Sequence, residues 1–288
     1  MKILNYSFLL VILIITSSCN QKEIHVSSKI NFNKDWIFTI SENAEIEDVL
    51  FLETINFSIW DSITLPHTPK IEPKIVNNQW QGISVYKKSF HLTDDLKNKK
   101  LFFKFEGAMN IAEVWVNDTK LIKHHGGYLP FVIDFTKVAF FDRENKIVVK
   151  LNNKDNPITG PKPLEKLDFN TYGGIYRNVW LIAKNKLHIT DPILEDKIAS
   201  GGIFVTFPEV STKKASIHIK THIRNETDKI NSFLVRNTLL KNDSILVSVT
   251  TEKQVLAANI DKEIIANMNL RNPKLWSPET PDLYHLKT

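Results

Sequence analysis

Three groups of side chains in this 288-residue chain have types and spacing that could do chemistry. The first is the stretch Asp168-Phe-Asn-Thr-Tyr172-Gly173-Gly174-Ile175-Tyr176-Arg177-Asn-Val179-Trp180-Leu181. An acid, two phenols and a guanidinium flank a glycine pair there. Such a set can hydrogen-bond a polar ligand, and Gly173-Gly174 lets the backbone visit positive φ where a Cβ would clash. The plainer alternative is a β-turn with a structural arginine and a loop aspartate that caps it. The second group is His124-His125. Adjacent residues of a strand point to opposite faces, so they rarely chelate one ion. They read as a structural or exposed pair, and the sequence assigns no metal site and no cofactor. The third is Cys19, the single cysteine, which excludes an intrachain disulfide.

The elements that must position these groups are strands. Hydrophobic residues make up 42% of the chain and charged residues 24%, the balance of an ordinary globular protein long enough for about two domains. The net charge of +5 is spread thinly, with no basic stripe interleaved with aromatics, which argues against nucleic-acid binding. Trp36 and Phe38 share one face of an alternating strand. Ala112–Val116 runs into an Asn117-Asp118 turn and returns through Lys120–Ile122, the pattern of a hairpin. Strands are also expected around Val85–Phe90, Leu101–Phe105, Val132–Phe135, Asn145–Leu151 and Val179–Leu181. Residues 46–57 are less regular, a short helix or a loop. Residues 153–167 are polar, carry three prolines and lack periodicity, as a functional or disordered loop would. They lead straight to Asp168. Beyond Leu187-His-Ile189, Ala215–Asn225 and Ile260–Leu270 alternate cleanly within about seven short strands, the size of an immunoglobulin-like sandwich. The chain therefore reads as all-β.

The N-terminus is of a different kind. A short positive start, an apolar run over residues 6–15, and Thr16-Ser17-Ser18 before Cys19 resemble a bacterial lipoprotein signal, too short to span a bilayer as a helix. The expectation is a signal over 1–19 with Cys19 lipidated, a polar tether over 20–28, and an exported protein held to a bacterial membrane. A plain cleaved signal is the alternative.

Several segments, in order, resemble glycoside hydrolase family 2, the family of β-galactosidases, β-glucuronidases and β-mannosidases. They are Leu65-Pro-His67-Thr, Val114-Trp-Val-Asn117, His125-Gly-Gly-Tyr128-Leu-Pro-Phe131 with Asp134-Phe-Thr, the signature Tyr172–Leu181, and Asn272-Pro-Lys-Leu275-Trp276-Ser-Pro278. The resemblance implies a sugar-binding, galactose-binding-like jelly roll over 29–184 and an immunoglobulin-like sandwich over 187–288. It also implies a (β/α)₈ barrel that carries the chemistry and is absent from these 288 residues. No catalytic residue is therefore assigned. Asn225-Glu226 mimics the family's asparagine-glutamate pair but ends a strand of the second sandwich, so it reads as a solvated turn. Asp168 stands nine positions before Arg177, and the resemblance implies that it reaches towards the sugar and accepts its hydroxyls. Arg177 reads as an anchor for the loop. Trp80, Tyr128 and Phe131 suit sugar stacking or, more commonly, core packing. The implied partners are a carbohydrate, a downstream barrel, and a membrane through the lipid anchor. A stand-alone carbohydrate-binding lipoprotein is the alternative function.

Overall fold

The computed structural model describes residues 28–41, 60–72, 79–159 and 170–288. The leader with Cys19, the segment 46–57 and Asp168 lie outside the described residues. Among the described residues, ten strands build the first unit: β1 (Ser28–Asn31), β2 (Trp36–Ser41), β3 (Asp61–Ile63), β4 (Ile83–Phe90), β5 (Lys100–Phe105), β6 (Ile111–Val116), β7 (Thr119–His125), β8 (Phe131–Asp134), β9 (Asn145–Asn152) and β10 (Val179–Lys184). They form two antiparallel sheets, β1-β10-β5-β8 and β3-β2-β4-β9-β6-β7. Alternation places Trp36 and Phe38 of β2, Phe103 and Phe105 of β5, and Val179 and Leu181 of β10 between the sheets. Phe103 stacks on Phe135 with centroids 4.2 Å apart, and Phe105 stacks on Phe131 at 4.7 Å. Each such fully buried ring contributes about 1.5–3 kcal/mol over leaving it exposed. The β6–β7 turn has Asn117 and Asp118 both at positive φ, the left-handed pair that a two-residue hairpin needs.

The second unit holds nine strands among the described residues, more than the expected seven because several are only three residues long. They are β11 (Leu187–Ile189), β12 (Ile203–Val210), β13 (Lys214–Asn225), β14 (Asn231–Phe233), β15 (Arg236–Lys241), β16 (Ser244–Thr250), β17 (Gln254–Leu256), β18 (Ile260–Arg271) and β19 (His285–Lys287). One sheet centres on β13, with β18 along one edge and β11 and β12 sharing the other. Facing it are β16-β15-β19 and the pair β14-β17. A single helical turn, α1 (Pro192–Glu195), follows β11. Asp191 caps it by accepting from the Ile193 and Leu194 amides, with Pro192 at the position where no amide is needed.

The two units meet through a buried ion cluster. Lys100 of β5, only 11% exposed, bridges Asp134 at 2.6 Å and Glu226 at 2.9 Å. The Lys184 ammonium donates to the Ile189 carbonyl at 2.8 Å, and the His188 ring packs edge-on to Phe102. Glu226 is therefore no solvated turn residue, which corrects the sequence reading. Its chemistry is to hold the junction, and Asn225 beside it is fully buried with its amide shared among three backbone carbonyls.

Candidate functional site

At one end of the first unit, the segments around His67, Met109 and Gly127 are each pinned to the signature stretch. The His67 amide donates to the Ile175 carbonyl at 2.8 Å, and the Met109 amide donates to Gly174 at 2.9 Å. The Tyr176 hydroxyl donates to the Gly127 carbonyl at 2.5 Å. Gly174 has φ +93, and a Cβ there would lie 2.6 Å from both the His67 carbonyl and the Tyr86 hydroxyl. Both the twist of the turn and the close approach of the Leu65–Thr68 segment thus require glycine. Gly173 does not have a positive φ among the described backbone exceptions, so its reason differs from the expected one. A Cβ at 173 would meet the Asn153 amide nitrogen at 2.7 Å.

Behind this turn, buried polar side chains clamp both stems of the loop that carries Asp168. On the N-terminal stem, buried Asn153 accepts from the Gly82 amide at 2.7 Å and donates to the Trp80 carbonyl at 3.1 Å. The Asp155 amide donates to Gln81 at 2.8 Å. On the C-terminal stem, buried Gln79 donates to Asn170 at 2.6 Å and accepts from the Thr171 amide at 2.9 Å. The Tyr172 hydroxyl donates to the Glu72 carbonyl at 3.1 Å, while the Glu72 carboxylate accepts from the Trp80 amide at 3.0 Å. Breaking one such buried bond leaves a polar group unsatisfied, at a cost of about 1–3 kcal/mol. Sequence reading passed over Asn153 and Gln79, because their partners lie 71 to 92 residues away and nothing in their types marks a clamp.

His67 and Tyr86 lie under the turn, with Nδ1 and the hydroxyl 3.0 Å apart. Burial pulls the imidazole pKa below its ordinary value, against a small opposing pull from Asp61, and pushes the phenol strongly up. Both groups are thus held neutral, as a packed support requires. Arg177 is exposed, and its guanidinium lies 5.6 Å from the Tyr176 ring centroid. The aromatic trio divides. Phe131 is core, Trp80 is half-buried over Gly82, and Tyr128 is 58% exposed at the rim rather than packed inside. His124 turns inward and stacks on Phe131 at 4.5 Å, while His125 points to solvent. The pair cannot share one ion. Burial pulls the His124 ring below its ordinary pKa.

Chemically, this end offers a firmly built platform that presents the exposed Arg177 guanidinium and the exposed Tyr128 ring. Residues 32–185 match the family described as "Glycosyl hydrolases family 2, sugar binding domain", and residues 198–288 match "Glycosyl hydrolases family 2". A β-glucuronidase of Formosa agariphila is 32% identical over 268 residues, which are 88% of this chain and 27% of that protein. A β-galactosidase of Thermoanaerobacter pseudethanolicus is 29% identical over 89% of this chain and 32% of its own length. A solved β-glucuronidase from glycoside hydrolase family 2 superposes with a TM-score of 0.76 at 30% identity, over 90% of this chain and 28% of that one. The β-glucuronidase of Bacteroides uniformis superposes with a TM-score of 0.77 at 25% identity, over 91% and 30%. This chain thus spans about a third or less of the relatives it matches, and the barrel region is not within it. Two family matches in tandem cover nearly all of the described residues, and the chain belongs to glycoside hydrolase family 2.

Proposed function

We propose that this chain is the front portion of a β-glycosidase that removes a terminal β-linked sugar, a glucuronide or a galactoside as in its named relatives. The observation that carries this reading is the tandem match over 32–185 and 198–288, which aligns the chain with less than a third of a β-glucuronidase. Retaining hydrolysis needs two carboxyl groups about 5–5.5 Å apart, one as acid/base and one as nucleophile. The reading places both on a barrel that follows Thr288. Asp168, on the loop whose two stems are clamped, accepts hydroxyls of the bound sugar and orients the ring without entering the bond exchange. Rigid stems suit that role, since a misplaced hydrogen-bond acceptor loses its value within about 1 Å.

The reading extends to location. The leader sequence supports export with Cys19 as the lipidated first residue of the mature protein. Incorporation of radiolabelled palmitate into the wild-type chain, lost in Cys19→Ala, is the expected result.

The coding frame past Thr288 tests the enzymatic reading first. About 250 further residues with an Asn-Glu pair and a second barrel glutamate are expected. The full chain is expected to turn over a nitrophenyl β-glucuronide or β-galactoside, and Asp168→Ala to lower kcat/KM by tenfold or more. The 288-residue chain is expected to turn over neither; measurable turnover by it alone would sink the proposal.

A further inference from the structure

In the second unit, β18 is an edge strand. It pairs with β13 over twelve consecutive residues without a shift of register, and with no strand on its other side among the described residues. The direction of its backbone groups follows from its neighbour. The His222 amide donates to the Gly202 carbonyl at 2.8 Å, and the His222 carbonyl accepts from the Thr190 amide at 3.0 Å. His222 and its alternates on β13 thus bond away from β18, while Thr221 and Ile223 bond towards their partners Ile264 and Lys262. The Asn272 amide, bonded to the Lys213 carbonyl at 2.9 Å, continues that even-numbered set. The odd-numbered set is left over. Asp261, Glu263, Ile265, Asn267, Asn269 and Arg271 each turn an amide and a carbonyl away from β13.

The edges at β12 and β7 are blunted. β12 carries Pro208 within a register shift, and β7 carries exposed Lys120 and Lys123 beside another. Proline, bulges and lysines keep an edge from recruiting a further strand. From Ile264 to Leu270, β18 has neither a proline nor a charge. A groove of about 560 Å³ runs beside it, between residues 262–267 and Val249, Thr251, Glu252 and Gln254 on the facing side. Alternation sorts the side chains: Ile264, Ala266 and Met268 are buried, and Ile265, Asn267 and Asn269 are exposed on the outer face.

We propose that β18 pairs antiparallel with β18 of a second copy of this chain, about a two-fold axis at Ala266. Such a contact is isologous, so the edge must complement itself, and this edge does. In this register Ile265 lies opposite Asn267 of the second copy, Glu263 opposite Asn269, and Asp261 opposite Arg271. All six outward residues then exchange their amides and carbonyls. Each Arg271 lies opposite one carboxylate, Asp261, and diagonal to another, Glu263. On the buried face Ile264 lies opposite Met268, which extends apolar surface over the groove. A slip of one residue would set outward groups against inward ones. A slip of two in one direction sets Asp261 opposite Pro273, which has no amide, and in the other sets Arg271 opposite Asn259, outside the strand. A foreign strand would satisfy the same amides but not the reciprocal pairing of Arg271 with Asp261. The pairing holds or fails independently of any glycosidase activity.

Sedimentation equilibrium of the chain tests this, with Cys19→Ala in every sample so that neither a lipid nor a disulfide at that residue joins two copies. Twice the chain mass at micromolar concentration is the expected result. Asn267→Pro removes one outward amide from each copy and spares the β13 ladder. It is expected to weaken association by at least about tenfold, as the loss of two interchain hydrogen bonds would. Arg271→Glu, which sets like charges opposite each other without touching the backbone, is expected to weaken it as well. Ala266→Cys meets itself at the axis in a pair whose Cα atoms lie about 4.5 Å apart, so mild oxidation is expected to join the copies, whereas Met268→Cys is expected to stay unjoined. A monomer throughout the micromolar range overturns the proposal, and slow amide exchange at Ile265 and Asn267 in that monomer would make a different segment the occupant. A dimer that both Asn267→Pro and Arg271→Glu leave intact also overturns it, since another surface then holds the copies. A cross-link through Met268→Cys and none through Ala266→Cys does the same.

Discussion

The two units of this chain solve the same problem, burying the inner faces of two antiparallel sheets, to different degrees. Among the described residues, the first closes around a main cluster of 25 buried residues, nine of them aromatic, with Phe103, Phe105, Trp36 and Tyr86 fully enclosed, and a smaller cluster around Trp115. The second has two separate clusters of four buried residues each and no buried aromatic in either. Its aromatic side chains line an open groove, as Phe207, Trp276 and Tyr284 do, or pack only partly buried against a cluster, as Phe233 does. A closed core fixes loop stems to within fractions of an ångström, which is what a sugar-orienting platform needs. The second unit meets the first through Lys100, Glu226 and His188.

Core truncation breaks this comparison most sharply. Phe103→Ala is expected to cost the first unit about 3–5 kcal/mol, while Leu239→Ala at the open groove costs about 2 kcal/mol, the low end of the range for buried leucine. Urea denaturation followed by tryptophan fluorescence and circular dichroism reads both, and equal losses would refute the contrast. Next in size is the junction. Burial pulls the His188 ring down to about 4, with Lys184 acting in the same direction and Glu226 opposing. An unfolded histidine titrates near 6.5, so between about pH 6.5 and 4 the unfolded chain binds more protons than the folded one. Stability is fully present above that window and falls as pH drops through it, by up to roughly 3 kcal/mol. The denaturation midpoint at pH 7 and at pH 4.5 should differ markedly in the wild type and much less in His188→Leu.

The turn under the loop comes third. Gly174→Ala forces a methyl group against the His67 carbonyl at positive φ, an expected loss of about 1–3 kcal/mol. A thermal shift of under a degree would show that the turn is not the rigid seat argued for it. The smallest effect belongs to a strap at the surface of the second unit, where exposed Lys197 and buried His222 meet Asp261. Lys197 and His222 hydrogen-bond the Asp261 carboxylate at 2.7 and 2.6 Å and hold its pKa down to about 2. The strap is therefore intact above the ordinary aspartate range and releases only as pH falls towards 2. Asp261→Asn is expected to cost under about 1 kcal/mol, as exposed pairs do. Carbon-detected NMR titration of Asp261 checks the carboxyl directly, and a midpoint near 4 would show no coupling.

What depends on neighbours in sequence was legible in the sequence. Alternation marked β2, β13 and β18. Asn117-Asp118 marked a hairpin, because two short polar residues tolerate the left-handed backbone the turn needs. The ordered segments from Leu65 to Pro278 marked the family. What depends on residues far apart was decided only by the tertiary structure. Glu226 reads as a turn residue until the fold brings it to Lys100, 126 positions earlier. Gln79 and Asn153 look like loop polars until they meet the stems they clamp. The physical reason is common to all three. A strand's period and a turn's φ are set by sterics over a few residues, whereas a hydrogen bond or an ion pair gains its worth from the burial that the assembled sheets provide.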